Sequence, residues 1–329
     1  MKENEKIVTK LLIGLALSSG FLYLTFRGLD FNSVVNSLTK VNYYYLLLMF
    51  LVYLITYTLR ALRWKIIISK IKTINIKALF TYLMAGFFIN NVLPMRAGEL
   101  YRAVVLGSQN KISKSTSLAS IVIERTSDGI LFLAILVISF SIVEMPKFVI
   151  NGIYAVIVFI FLLLTFIIIS VKFRNKFKNI ISCIPVSEKR KNKIDEILQN
   201  FINGLEIVTS FKRFIAIISV SSIIWLCEIV LAFILVNAFG FKISFPQTIF
   251  IVAALGIGVM IPFAPGYVGT YEYAGKTALL LLGVEQNNAV SFVLTLHAFQ
   301  VIFIALFGFP SLMSNQFKWN QLNKKNMEE

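Results

Sequence analysis

Apolar residues fall in nine runs along the chain, at 7–26, 42–62, 76–93, 115–143, 148–171, 214–239, 247–262, 267–283 and 288–311. A helix needs about 20 apolar residues to cross a bilayer core, and the runs repeat at roughly that length. The stretches between them are too short and too basic to build a soluble domain. The pattern predicts an all-α polytopic membrane protein, a single integral domain over residues 1–329. One stretch has a different character: Ile194, Ile197, Leu198, Phe201, Leu205 and Val208 recur at helical spacing, with Asp195, Glu196, Gln199, Asn200, Asn203 and Glu206 between them. This predicts an amphipathic helix over about 187–210, lying in the cytoplasmic interface or docking against a partner.

The basic residues order these runs across the membrane, because Lys and Arg collect in cytoplasmic loops. Lys2, Lys6 and Lys10 precede the first run and place the amino terminus inside. That run lacks a small-x-small cleavage site and is expected to remain as a span. Arg60, Arg63, Lys65, Lys70, Lys72 and Lys77 gather from the end of the second run to the start of the third as an expected cytoplasmic loop, and the group from Lys172 to Lys193 marks another. The third run breaks the alternation. A simple crossing would place Arg96, Arg102, Lys111 and Lys114 outside, so residues 76–110 are expected to form a re-entrant hairpin that dips from the cytoplasm and turns at Pro94 to Gly98. Proline interrupts helical hydrogen bonding and glycine eases a turn. The pair 247–262 and 267–283 is separated by Pro262, Pro265, Gly266 and Gly269, and reads as a second hairpin entering from the opposite face, although two full crossings preserve the same parity. Both breaks share Pro-x-x-x-Gly with a glutamate close behind, Glu99 and Glu272. About six full spans, two broken or re-entrant hairpins in opposite orientation as a pseudo-inverted repeat, and a short polar, irregular cytoplasmic tail over 315–329 complete the expected architecture. The expected location is the cell membrane, with both termini cytoplasmic.

Composition narrows the chemistry. The chain of 329 residues is 57% hydrophobic and 15% charged, with a mean hydropathy of +0.80. One histidine (His297) and two cysteines (Cys183 and Cys227) cannot furnish a zinc site or an iron–sulfur cluster, and the two cysteines are not expected to pair. No metal or cofactor is predicted. The net charge of +16 is accounted for by loops facing anionic headgroups, so membrane lipids rather than nucleic acid are the expected partners. No DDxxD-like run, nucleophile elbow or HExxH motif is present.

Five acidic residues fall within or beside apolar stretches: Glu99, Glu124, Asp128, Glu228 and Glu272. A charge at a transmembrane helix centre costs roughly 2.5–3.5 kcal/mol on the insertion scale, so these are expected to face the protein interior. Glu124 and Asp128 share one helix face and Arg125 reaches Asp128 at i,i+3. This group serves either as a lock between helices or as a headgroup site in which Arg125 offers its fork to a phosphate. Arg96 and Arg102 flank the first break, where an anion would meet them, or else they reach to the cytoplasmic headgroups. Asn90 and Asn91 precede that break. Glu228 needs a partner from another helix, and His297 with Gln300 reads first as an interhelical hydrogen-bonding pair.

The segments Asn90-Asn91-Val92-Leu93-Pro94-Met95-Arg96-Ala97-Gly98-Glu99-Leu100-Tyr101-Arg102, then Glu124-Arg125-x-x-Asp128, then Pro262-Phe263-Ala264-Pro265-Gly266-Tyr267-Val268-Gly269-Thr270-Tyr271-Glu272, in that order, resemble the lysylphosphatidylglycerol synthase transmembrane-region family, often called flippase-like. The likeness covers nearly the whole chain. It implies a membrane module that moves a lipid between leaflets, in some members aminoacylated phosphatidylglycerol made by a soluble transferase domain further along. Only residues 312–329 follow the last run here, so that transferase is expected to be absent, and a glycosylated or polyprenyl-linked lipid is as plausible a cargo. The function expected is translocation of a phospholipid or lipid-linked anionic or aminoacylated headgroup. The alternative is a membrane subunit or an intramembrane enzyme working with a separate lipid synthase or glycosyltransferase.

Overall fold

The computed structural model describes residues 16, 18–39, 41–42, 44–142, 147–173, 187–206, 210–260 and 265–328. Lys2, Lys6, Lys10, Arg174, Lys176, Lys178, Cys183, Val208 and Pro262 lie outside the described residues. Those that are described form helices and turns, with no strand among them. Residues 18–26 form a helix, α1. It ends before Gly28, whose φ of 75° no side chain adopts without strain. Asp30 then caps Phe31–Thr39 (α2): its carboxylate accepts from the Asn32 N–H at 3.0 Å and the Ser33 hydroxyl at 2.7 Å. Those bonds, the Ser33 hydroxyl first, favour the charged form and hold the Asp30 carboxyl below its ordinary pKa.

Tyr44–Ile68 (α3) is 25 residues long, about 37 Å at 1.5 Å per residue, and it continues past the expected end of the second run at residue 62. Arg63 and Lys65 are therefore helical residues rather than loop residues, as is Arg60. Ile76–Val92 (α4) is capped by Asn75, which accepts from the Lys77 N–H. Ala97–Asn110 (α5) follows after four residues and ends at left-handed Lys111. Ser113 caps Lys114–Phe140 (α6) through the Thr116 N–H. Next come Lys147–Lys172 (α7), Glu188–Leu205 (α8), Phe211–Ala238 (α9) and Phe245–Met260 (α10). A 3-10 turn at Pro265–Tyr267 leads to Thr270–Leu281 (α11), and Gln286–Glu328 (α12) closes the chain. The tail expected to be irregular continues α12. It contains neither glycine nor proline after Pro310, so nothing stops the helical ladder.

Three described helices are long and apolar enough to cross a membrane: α3, α9 and the part of α12 from Gln286 to Asn315. The shorter apolar helices α4 and α10 open the two hairpins, α4 with α5 and α10 with α11. Two helices tie these hairpins together. α6 packs on α5 and α10, while α12 packs on α4 and α11. The core between α3 and α12 is aromatic, with the Tyr53 ring 5.7 Å from Phe299 and 5.4 Å from Phe303. The amphipathic α8 is a docked element: Ile202 and Leu205 are buried, and the Thr116 hydroxyl of α6 donates to the Asn200 carbonyl. Gly204 allows this, since a Cβ there would stand 2.6 Å from that of Ala119.

Candidate headgroup site

The first break is built by a sharp turn and a close helix crossing. Met95 and Arg96 both take left-handed backbone, at φ 60° and 53°, a conformation that costs a residue with a Cβ roughly 1–2 kcal/mol. The turn therefore falls on two residues that are not glycine. Gly98, expected to relax it, lies inside α5 and serves another purpose. A Cβ on it would stand 1.8 Å from the Gly86 carbonyl oxygen, so only glycine lets α5 lie against α4. The Asn90 side chain accepts from the Gly98 N–H at 2.7 Å and fixes that crossing. Pro94 stands in the four-residue link.

In the second break the glycines do carry the turn. Gly266 and Gly269 have φ of 57° and 93°, with Tyr267 at 62° between them. Pro265 opens the 3-10 turn. Glu272, in the first turn of α11, accepts from the Gly269 N–H at 2.6 Å, closing the helix start on its own cap. The other carboxylate oxygen of Glu272 meets His297 Nδ1 on α12, and the Tyr271 ring lies 4.6 Å from the imidazole. His297 is thus a buried interhelical hydrogen-bonding residue. Gln300, one turn on, lies at the Tyr57 hydroxyl. The N-terminal helix is held here as well: the Ser18 hydroxyl donates to the Val268 carbonyl, and the buried Lys276 ammonium donates to the Leu24 and Thr25 carbonyls at 2.9 Å each.

The two breaks touch. Arg96 donates through Nη2 to the Val259 carbonyl at 3.1 Å, at the C-terminal end of α10, where free carbonyls and the helix dipole favour a cation. The Asn91 carbonyl oxygen lies 3.4 Å from where a Cβ of Gly266 would project. The Asn91 side-chain nitrogen is buried with no hydrogen-bond partner.

Beside this contact, four helices contribute a charged network. Arg102 of α5 makes a two-point pair with Glu124 of α6, at 3.0 and 2.7 Å, and its guanidinium stacks 4.2 Å above the Trp64 ring. Arg63 of α3 makes a second two-point pair with Asp128 of α6 and donates to Ser221 of α9 at 2.9 Å. Trp64 is fixed in turn by its indole N–H on Ser120 at 3.0 Å. Arg125 contacts Glu124, Asp128 at 3.2 Å and Glu99 at 3.7 Å, and Arg96 approaches Glu99 at 3.9 Å. Arg60 pairs with Glu228 of α9 at 2.7 Å, within the electrostatic reach of Asp128. Arg63, Arg102 and Glu124 are at most 3% exposed, whereas Arg96 and Arg125 are 29% and 31% exposed. One half of the network thus locks helices together and the other half is open.

The structure brings together Arg96, Glu99, Arg102, Glu124, Arg125 and Asp128. It leaves Glu272 and His297 as a separate pair, and attaches Glu228 through Arg60. Arg60, Arg63 and Trp64 were missed as site residues. Their spacing on one face of α3, in phase with buried Tyr53 and Tyr57, is the signal that identifies them. Cys227 is a free thiol.

The Lysylphosphatidylglycerol synthase TM region family model matches residues 11–308. The chain belongs to this family. Every residue of the network lies inside the matched range. A UPF0104 membrane protein of Methanothermobacter thermautotrophicus is 27% identical over 269 residues, covering 74% of this chain and 79% of the relative. One of Pyrococcus horikoshii is 25% identical over 308 residues, covering 85% and 89%. One of Methanocaldococcus jannaschii is 31% identical over 129 residues, 38% of each chain. No solved structure matches. Membership of the lysylphosphatidylglycerol synthase transmembrane-region family and the apolar helices together make this a membrane protein.

Proposed function

We propose that the protein translocates a phospholipid, or a lipid carrying a phosphate-linked headgroup, between leaflets of the cell membrane, the headgroup passing along a polar path between the two broken helices. The observation that carries this reading is the network itself. Among the described residues, five arginines (Arg60, Arg63, Arg96, Arg102 and Arg125) stand against four carboxylates (Glu99, Glu124, Asp128 and Glu228). One positive charge is left over, and the two most open arginines flank the contact between the breaks. Unbalanced charge within a membrane segment is costly and is matched by a ligand of opposite sign. Exposed Val92, Leu93, Met95, Met260 and Val268 surround the same breaks, a surface suited to acyl chains while the headgroup meets the arginines.

On this reading the α4–α5 and α10–α11 hairpins re-enter the membrane from opposite faces, in keeping with a transporter site at the meeting of discontinuous helices, and both termini are cytoplasmic. The family and its named relatives support a membrane role, and the network supports an anionic cargo. The test is leaflet exchange in proteoliposomes of the purified chain, with labelled phosphatidylglycerol, its lysyl derivative and a polyprenyl-phosphate sugar. Exchange of at least one of these above protein-free vesicles is expected and names the cargo class. No exchange of any of the three by folded protein overturns the proposal.

A further inference from the structure

Glu99 occupies an unusual position in the network. Its Oε1 lies between two guanidinium groups, 3.9 Å from Arg96 Nη1 and 3.7 Å from Arg125 Nε. Both distances fit ion pairing and both exceed hydrogen-bond length. Arg102, by comparison, holds Glu124 with two bonds of normal length. The Nε atoms of all five network arginines, Arg60, Arg63, Arg96, Arg102 and Arg125, are buried without a hydrogen-bond partner, but Arg96 and Arg125 are the two whose guanidinium groups are most open to a ligand, at 29% and 31% exposed. A buried donor left unmet costs about 1–3 kcal/mol, and because Arg96 and Arg125 are partly open and meet Glu99 only at ion-pair distance, this pair has room for an acceptor larger than the one carboxylate oxygen now between them. A tetrahedral phosphate supplies such an acceptor, with several oxygens set to meet two forks.

We infer that Arg96 and Arg125 form a seat for a singly charged phosphodiester, and that Glu99 is the resident counter-ion that keeps the empty seat neutralised and sets the charge of the anion it accepts. This deepens the proposed lipid translocation and rests on it. The two arginines with Glu99 leave one positive charge, the same excess as the whole network. A phosphodiester, with one negative charge, cancels it. A phosphomonoester with two leaves a net negative charge beside Glu99, Glu124 and Asp128 at low dielectric, where like charges repel strongly. Glu99 thereby discriminates by valence, through repulsion of the wrong anion as well as attraction of the right one.

The test is equilibrium binding of two short-chain lipids to the full chain in neutral maltoside micelles: phosphatidylglycerol, a phosphodiester, and phosphatidic acid, a phosphomonoester. At about pH 8 the latter is doubly charged, because a phosphomonoester has its second pKa near 6. The wild-type chain is expected to bind phosphatidylglycerol roughly tenfold more tightly than phosphatidic acid. Glu99→Gln should tighten both and reverse the order, while Glu99→Asp should keep the wild-type preference. Equal or tighter binding of phosphatidic acid by the wild-type chain overturns the inference, as does weaker binding of both lipids by Glu99→Gln. Should that variant fail to fold, the wild-type ratio and Glu99→Asp still decide. Leaflet exchange with the wild-type ratio unaltered in Glu99→Gln would remove the valence seat and leave translocation standing. Failure of the wild-type chain to bind either lipid would remove the valence seat, and translocation would then be decided by the leaflet-exchange assay with the polyprenyl-phosphate sugar.

Discussion

Arg63 is fully buried and bonded on two sides, to Asp128 and to Ser221. Removing one partner of such a pair leaves an uncompensated charge away from water, a loss of about 3–5 kcal/mol. Arg63→Ala or Asp128→Ala is therefore expected to destabilise the protein by that amount in detergent unfolding titrations, whereas Arg63→Met combined with Asp128→Leu should recover much of the loss. Stability unchanged in either single variant would mean that the pair is not closed off from water. Arg96 and Arg125 differ: being partly exposed, they should lower stability little when changed to Gln, with the effect falling on lipid binding. The carboxylates Glu124 and Asp128 were legible in the sequence because charges stand out in an apolar helix. Their partner Arg63 was not, because basic residues at the end of an apolar run look the same whether they enter a loop or continue inward. The phase of Arg63 with Tyr53 and Tyr57 distinguishes the two once α3 is seen to run unbroken to Ile68.

Each hairpin is held by a local device at its break. In the first, Gly98 permits contact with Gly86, and Gly98→Ala should drive α4 and α5 apart, at about 1–3 kcal/mol or more. Met95→Gly should instead stabilise the turn, by about 0.5–1 kcal/mol, since glycine relieves the left-handed strain and returns part of the gain as chain entropy. In the second, Glu272→Ala removes the acceptor of the Gly269 N–H and the partner of His297 together, an expected loss of about 1–3 kcal/mol. Glu272→Gln keeps an acceptor and should lose less. Thermal unfolding of these four variants beside the wild-type chain checks these orders. The positions of both breaks were readable from Pro94, Pro265 and the glycines after them. The use of each glycine was not, because the same residue type serves a positive φ at Gly269 and a close crossing at Gly98, and spacing alone does not separate them. The amphipathic α8 shows the same ambiguity: its period predicted a helix with one apolar face, but whether that face meets lipid or protein depended on the small Gly204 opposite Ala119.

For the molecule as a whole, the proposal that the two hairpins enter from opposite faces makes a topological prediction. Single cysteines at Thr73 and Lys111, flanking the first hairpin, should be labelled by an impermeant thiol reagent from one side of the membrane, and those at Phe241 and Gly283, flanking the second, from the other, with Cys183 and Cys227 replaced by Ser. Labelling of Thr73 and Lys111 from opposite sides would make α4 and α5 a full crossing. The all-helical membrane fold was legible from run length alone, because a bilayer core demands it. Contact between the two breaks was not, since no motif or spacing marks segments so far apart in the chain as neighbours. It depends on α6 and α12 each packing against both hairpins. The central claim is that lipid headgroups cross beside Arg96 and Arg125. Its most direct test is leaflet exchange of phosphatidylglycerol by the Arg96→Gln, Arg125→Gln double variant, alongside the wild-type chain and a surface control, Lys70→Ala. Exchange by the wild type and the control, lost in a double variant that unfolds at the wild-type temperature, is the predicted result. Exchange at the wild-type rate in all three would contradict it.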